Sequence, residues 1–285
     1  DPECQTIMPL MDQNFVFLLE KCSMGNLTGD EIINTSNKVS GCVIATSKGY
    51  PHEYKTGFQI NIDNIDTNDC QIFDSGTSLS EDGKLLTNGG RVLSIVCQEK
   101  DFDRAFEKYI RSLINKKFPK DSIIGEEFQD KFSSNDYKWS IDPIDGTRGF
   151  MTGQTSWTVL ISLNEEDKHL FGIIYQPFTD EMFIGFNNSC NYLHKSKTNK
   201  IFVKNCKKIS NAVIHTTDPN MGTNLENFAM SKLRSYCRLS RYSLDAYAYG
   251  LLAYGNIDLI VESSMQFYDI QAPLCVIKSA GGFFS

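Results

Sequence analysis

Residues 139–147 read WSIDPIDGT, and the rest of the chain is best understood outward from this run. Trp139-Ser140-Ile141 has the apolar character of a buried strand, and Asp142 and Asp145 leave it three residues apart. Pro143 stiffens the turn between them, and Gly146-Thr147 stand where a helix would open. Two carboxylates so placed suit a hard divalent cation, because Mg²⁺ takes oxygen ligands and shares its shell with phosphate oxygens. Amides freed at a helix N-terminus attract the same anion.

From about residue 100 onward the periodicity is legible. Residues 101–117 (DFDRAFEKYIRSLINKK) set Phe102, Phe106, Tyr109, Ile110 and Leu113 on one stripe, which predicts an amphipathic helix with that stripe facing a core. Ile123-Ile124 leads into Gly125-Glu126-Glu127, a second strand delivering carboxylates at its end. Residues 156–163 and 170–176 read as neighbouring strands around a polar turn at 164–168. Further short strands are expected near 182–186, 201–203, 211–217 and 257–261. Helices are expected at 223–236, at 243–255 with Leu244, Tyr247, Leu251 and Leu252 inward, and at 269–280 before Gly281-Gly282. Alternating helices and strands imply layered sheets. Residues 1–95 resist this reading. Phe15–Leu19 suits a helix and Cys42–Ala45 a strand, while 60–90 is polar and loop-like. The domain organisation expected is therefore 1–95 as an atypical N-terminal region, 96–190 as an α+β half carrying the site, and 191–285 as an α/β half completing it.

Composition narrows the partners. With 285 residues the chain can bury a large core, and a net charge of −7 leaves no basic footprint for nucleic acid or an anionic membrane. Nine cysteines without a Cys-x-x-Cys pair, an odd count, read as reduced thiols of an intracellular protein, cytoplasmic, or organellar if a targeting segment preceded residue 1. Four isolated histidines argue against zinc. The three Asn-x-Ser/Thr sites, at 26, 34 and 187, read as chance in an Asn-rich chain. No apolar run is long enough to span a bilayer, and no signal peptide is visible.

Four acidic positions distant in the chain stand out: Asp103, Glu126-Glu127, Asp142 with Asp145, and Asp269. Each has a plainer reading alone, as a helix-dipole partner, a solvated turn or a helix cap. The last three, however, all end or follow apolar segments, where a layered α/β protein presents functional groups. Carboxylates gathered there repel unless cations fill the gap.

Gly125-Glu126-Glu127, Asp142-Pro143-Ile144-Asp145-Gly146-Thr147, and Tyr268-Asp269 followed by Gly281-Gly282 resemble the signature of the inositol monophosphatase family of Mg²⁺-dependent, lithium-sensitive phosphatases. The resemblance runs from about residue 96 to the end. Asp145–Phe150 with Gly153, Phe171–Pro177, Arg241–Ala253 and the 257–262 strand ending in Glu look like its histidinol-phosphate phosphatase branch. It implies an αβαβα layered sandwich of the inositol monophosphatase / fructose-1,6-bisphosphatase type, usually a homodimer, binding two or three Mg²⁺. Glu126, Asp142, Asp145, Asp269 and the carbonyl of Ile144 become metal ligands. Glu127 becomes a partner behind them or a partner of a third metal, and Asp103 takes the place of the family's early aspartate. Thr147, backed by Asp103 or Glu127, would position a metal-activated water for in-line attack, while Gly146 and Thr147 amides hold the phosphate. Glu262, Asp245 and Arg241 fall where the organic part of the substrate is contacted. The substrate implied is histidinol phosphate, in histidine biosynthesis, with inositol phosphate and adenosine 3′,5′-bisphosphate as alternatives; a catalytically inactive relative with a binding or regulatory role is the alternative of another class.

Two features depart from the family pattern. The stretch before Gly125 is unusually long, and the chain stops soon after Gly282. Residues 41–53 (GCVIATSKGYPHE) look somewhat like the segment expected after that point. They are therefore either an insertion or a permuted segment, which would lie beside 283–285 in one sheet.

Overall fold

The structure, a computed structural model, describes residues 2–28, 34–62 and 70–285. The chain divides into two units at Pro119/Lys120, well past the expected boundary near residue 95.

The first unit holds α1 (Pro2–Ile7), α2 (Phe15–Ser23), β1 (Val39–Thr46), β2 (Cys70–Asp74), β3 (Thr77–Leu79), β4 (Leu85–Thr87), β5 (Arg91–Glu99) and α3 (Phe102–Lys117). An antiparallel sheet runs β1-β5-β2, and β3 and β4 form a separate hairpin. Part of the expected 60–90 loop is thus strand, and its residues 63–69 lie outside the described residues. Strand β1 pairs with Arg91–Glu99, and residues 283–285 form no strand. Cys70 and Cys97 are directly opposite in the β2/β5 register, Cα atoms 4.3 Å apart, and form a disulfide, which corrects the expectation of reduced thiols at this pair. Helix α3 forms as expected, with the Asp101 carboxylate accepting from the Arg104 amide at 2.9 Å. Tyr109 of the expected stripe packs against Cys70, Ile95 and Cys97, but the rest of the buried side differs. Phe102, Phe106 and Leu113 are exposed, while Ala105, Glu107 and Ile114 are buried. The reason is close packing on β1 and β5, where a Cβ on Gly41 would lie 3.8 Å from that of Ala105. Only small side chains fit there.

The second unit begins with β6 (Ser122–Gly125), β7 (Tyr137–Asp145), α4 (Thr147–Met151), β8 (Thr158–Glu165), β9 (Lys168–Gln176), β10 (Glu181–Phe186), β11 (Ser189–His194) and β12 (Lys197–Ile201). These strands form one sheet, ordered β12-β11-β10-β9-β8-β7-β6, antiparallel except for β6 beside β7. The sheet runs without a break through residue 190, so no boundary between halves falls there. Strands β11 and β12 were hidden by polar sequences, SCNYLH and KTNKI. Their turns are Asn187-Asn188 and Lys195-Ser196, all four at positive φ, as tight hairpins require. The Asn187 glycosylation pattern is thus a turn signal.

The unit continues with β13 (Val213–Thr216), α5 (Asn224–Tyr236), β14 (Leu239–Tyr242), α6 (Tyr247–Ala253), β15 (Leu259–Ile260) and α7 (Phe267–Ser279). The second sheet, β14-β13-β15, is parallel, with α5 and α6 as its crossovers. Helix α7 lies across β7–β10. Leu160, Ile174 and Phe183 from the large sheet meet Ala272, Val276 and Ile277 from α7 in the main core. On α6 the fully buried residues are Ala248, Tyr249, Gly250 and Ala253, because the helix is wedged where a Cβ on Gly250 would strike the Phe183 ring, while Tyr247 and Leu252 of the expected face pack half-buried against the same core. No described helix is long and apolar enough to cross a membrane.

Candidate metal centre

Two carboxylates three residues apart on a regular strand point to opposite faces. The structure resolves this with a bulge. Asp142 pairs with Leu160 and Asp145 with Thr158, so β7 uses three steps where β8 uses two. Pro143, which has no N–H to donate, sits in the bulge. The extra residue turns both carboxylates to one side. Asp269, three residues into α7, joins them, and one carboxylate oxygen from each of Asp142, Asp145 and Asp269 lies within 4.8 Å of the others.

Each acid is held by a backbone N–H through one oxygen. The Ile144 amide donates to Asp142 Oδ1 at 3.0 Å, the Ala246 amide to Asp145 Oδ2 at 2.6 Å, and the Gln266 amide to Asp269 Oδ2 at 2.7 Å. The Thr158 hydroxyl also donates to Asp145 Oδ2, at 3.3 Å. The second oxygen of each is left for the cluster. Gly146 (φ +86°) turns the chain from β7 into α4, and Thr147 Oγ1 donates to the Ile144 carbonyl at 3.0 Å. A carbonyl has two lone pairs, so the Ile144 oxygen can still accept a cation.

Burial raises the Asp142 carboxyl well above its ordinary range, and the charges of Asp145, Glu126 and Asp269 add to the effect. Burial lifts Asp145 to about 8 despite the Ala246 hydrogen bond, and raises Asp269 and Asp245 as well. Crowded acids in such a state lack positive charge. All the donors are hard oxygens, the set that suits Mg²⁺, Ca²⁺ or Mn²⁺ and not thiophilic metals, so the residues fit the expected magnesium.

The cavity over this cluster measures about 220 Å³. Glu126, Asp142, Ile144, Asp145, Gly146, Thr147, Asp245, Glu262 and Asp269 all line it. Glu262 Oε1 accepts from the Thr217 amide at 2.8 Å and hydroxyl at 3.1 Å, and burial pushes the group up to about 7. Arg241 is exposed on β14, and Glu127 sits beside Tyr268 without lining the cavity; Asp103 opens α3, which belongs to the first unit. Ala246, Thr158 and Thr217 were not found from sequence. The odd spacing of the two aspartates around a proline was the available signal for the bulge, but the amide and hydroxyl partners come from distant strands and turns and carry no local pattern.

Residues 99–285 match the sequence model of the inositol monophosphatase family. The chain belongs to this family. Among inositol monophosphatase relatives, "Bifunctional phosphatase IMPL2, chloroplastic" of Arabidopsis thaliana is 38% identical over 184 residues, 63% of this chain and 52% of its own, so the chain spans about half of that relative's length. A "Histidinol-phosphatase" of Chlorobaculum parvum is 30% identical over 207 residues, 70% of this chain and 79% of its own. The solved inositol monophosphatase from Zymomonas mobilis superposes with a TM-score of 0.57 at 33% identity, covering 63% of this chain and 68% of that one. The second unit therefore has the α/β fold of this family. Residues 40–123 match a different model, the C domain of phosphoribosylglycinamide synthetase. The segment 41–53 lies inside that match, which accounts for the departure from the inositol monophosphatase pattern before residue 99.

Proposed function

We propose that this chain hydrolyses a phosphate monoester of a small metabolite with Mg²⁺, and that the ester is histidinol phosphate. The observation that carries the reading is the three-aspartate cluster, each acid tied to a backbone amide and each bringing a carboxylate oxygen close to the others. Magnesium bound there supplies positive charge to the phosphoryl oxygens and acidifies a water. Thr147, its proton committed to the Ile144 carbonyl, presents lone pairs that orient this water toward phosphorus. The Gly146 and Thr147 amides are assigned to the phosphate. As the water oxygen bonds to phosphorus it gives up a proton to solvent, the ester P–O bond breaks, and the leaving oxygen takes a proton from solvent to become the alcohol.

Substrate choice rests on charge. Beyond the metal ligands the cavity wall holds Asp245, on which the Arg148 charge also acts, and Glu262, and no Lys or Arg is among the described lining residues. Such a wall favours an ester bearing an amine over a neutral polyol ester, and disfavours a second phosphate. Two or three Mg²⁺ per site, inhibition by lithium, a homodimer and a place in histidine biosynthesis belong to the same reading.

The test is phosphate release from histidinol phosphate, inositol 1-phosphate and adenosine 3′,5′-bisphosphate, with and without Mg²⁺. We expect histidinol phosphate to give the highest kcat/KM. Asp142→Ala should cost more than the roughly 10–100-fold that loss of a residue supporting a ligand costs. Release that survives Asp142→Ala refutes the mechanism; no release from any ester favours an inactive, binding relative.

A further inference from the structure

Behind Glu262 lies a second cavity of about 260 Å³, between α5 and the chain that follows β15. It shares Met221, Glu262 and Ser263 with the cavity over the aspartates, so the two adjoin at these residues. We infer that this second cavity receives the end of the substrate remote from phosphate, and that this end is a flat ring of low polarity joined to a cationic amine. The inference rests on the proposed function for its placement of the phosphate at the aspartate cluster.

The walls decide the ring. Ala229, Met230 and Leu233 of α5 face Val261 and Met221 across the cavity, a slot of aliphatic and thioether surface. Polyol hydroxyls set against those aliphatic and thioether walls would lose their water without gaining partners there, a cost on the order of 1–3 kcal/mol for each unmade hydrogen bond. A heterocycle places its faces on the methionines and aliphatic carbons and its few polar atoms at the rim. The charges decide the amine. Asp218 and Glu226 join Glu262 in the lining, and no Lys or Arg is among the lining residues. Glu262 Oε1 is satisfied by Thr217, but Oε2 is buried and has no hydrogen-bond partner. A buried acceptor left without a donor is costly, and an ammonium passing from one cavity to the other supplies one.

Ala229 is exposed at the cavity mouth, so a larger side chain there can be carried without disturbing the core. The probe is L-histidinol, which has the ring and amine but no phosphate, titrated calorimetrically into the full chain without Mg²⁺. Binding is expected, and weakening by about tenfold or more in Ala229→Phe, which fills the slot, and Ala229→Lys, which opposes the amine. Myo-inositol should give no heat. In turnover with Mg²⁺, the ratio of kcat/KM for histidinol phosphate to that for glycerol 2-phosphate, too short to reach the slot, should fall about tenfold or more in both variants, through KM. Equal histidinol affinity in wild type and variants, or an unchanged ratio, overturns the inference. If no ester is hydrolysed, the proposed function fails, and the titration still decides the cavity by itself.

Discussion

At the scale of single residues, the site depends on positions where one atom more would be too many. Gly146 has φ +86°, and a Cβ there would lie 2.9 Å from Asp245 Oδ2. Gly146→Ala thus adds left-handed backbone strain of roughly 1 kcal/mol and pushes against the turn that supplies the Ala246 amide to Asp145. The expected outcome is a loss of about 1–3 kcal/mol in chemical denaturation together with weakened Mn²⁺ binding followed by electron paramagnetic resonance. Unchanged Mn²⁺ affinity would show that the turn does not set the Asp145 geometry. At this scale the sequence was most legible, since Asp142, Asp145, Gly146 and Thr147 form one contiguous motif. The partners that orient them were invisible, because a backbone amide at position 246 has no side-chain signature.

At the scale of elements, Asp269 is placed by how deeply α7 settles on the large sheet. Gly172 and Gly185 are paired across β9 and β10, directly beneath the helix. A Cβ on Gly172 would meet Cys275 Cβ at 2.7 Å, and one on Gly185 would meet Val276 Cα at 2.8 Å. Neither neighbour is a flexible side-chain end, so the helix itself must lift. Gly185→Ala is expected to destabilise by about 1–3 kcal/mol and to lower Mg²⁺-dependent phosphate release by displacing Asp269, although residue 185 lies outside the cavity lining. Thermal melts and steady-state rates check this; a stability loss with unaltered KM for Mg²⁺ and kcat would detach helix depth from the site. Periodicity predicted α3, α5 and α7 within a few residues. It placed Tyr109, Tyr247 and Leu252 against the core but missed the most deeply buried positions of α3 and α6, because those helices pack closest through Ala and Gly, which carry little hydrophobic signal.

At the scale of the molecule, the site stores unfavourable protonation. The Asp145 carboxyl rises from its ordinary 3.8 to about 8 on folding, chiefly through burial, and Asp142 and Asp269 shift the same way. A carboxyl with a raised folded pKa holds its proton where the unfolded chain has released it. Its stability contribution is complete below about 4 and is lost as pH climbs toward 8. For metal-free protein, these groups therefore lower Tm between pH 5 and 8, and Mg²⁺ should recover more at pH 8 than at pH 5, because only the ionised cluster binds it. Calorimetric scans with EDTA and with Mg²⁺ at both pH values test this; equal Mg²⁺ gains at the two would contradict a proton-linked site. The sequence by itself determined the family, the acidic ligand set and the alternation of strands and helices, because these reside in contiguous motifs and local periodicity. Only the tertiary structure decided that the chain divides at residue 119, that 39–46 pairs with 91–99, and that a bulge at Pro143 and an amide a hundred residues away turn three scattered aspartates toward one point. Such pairings depend on long-range register and close packing, which no local stretch of chain encodes.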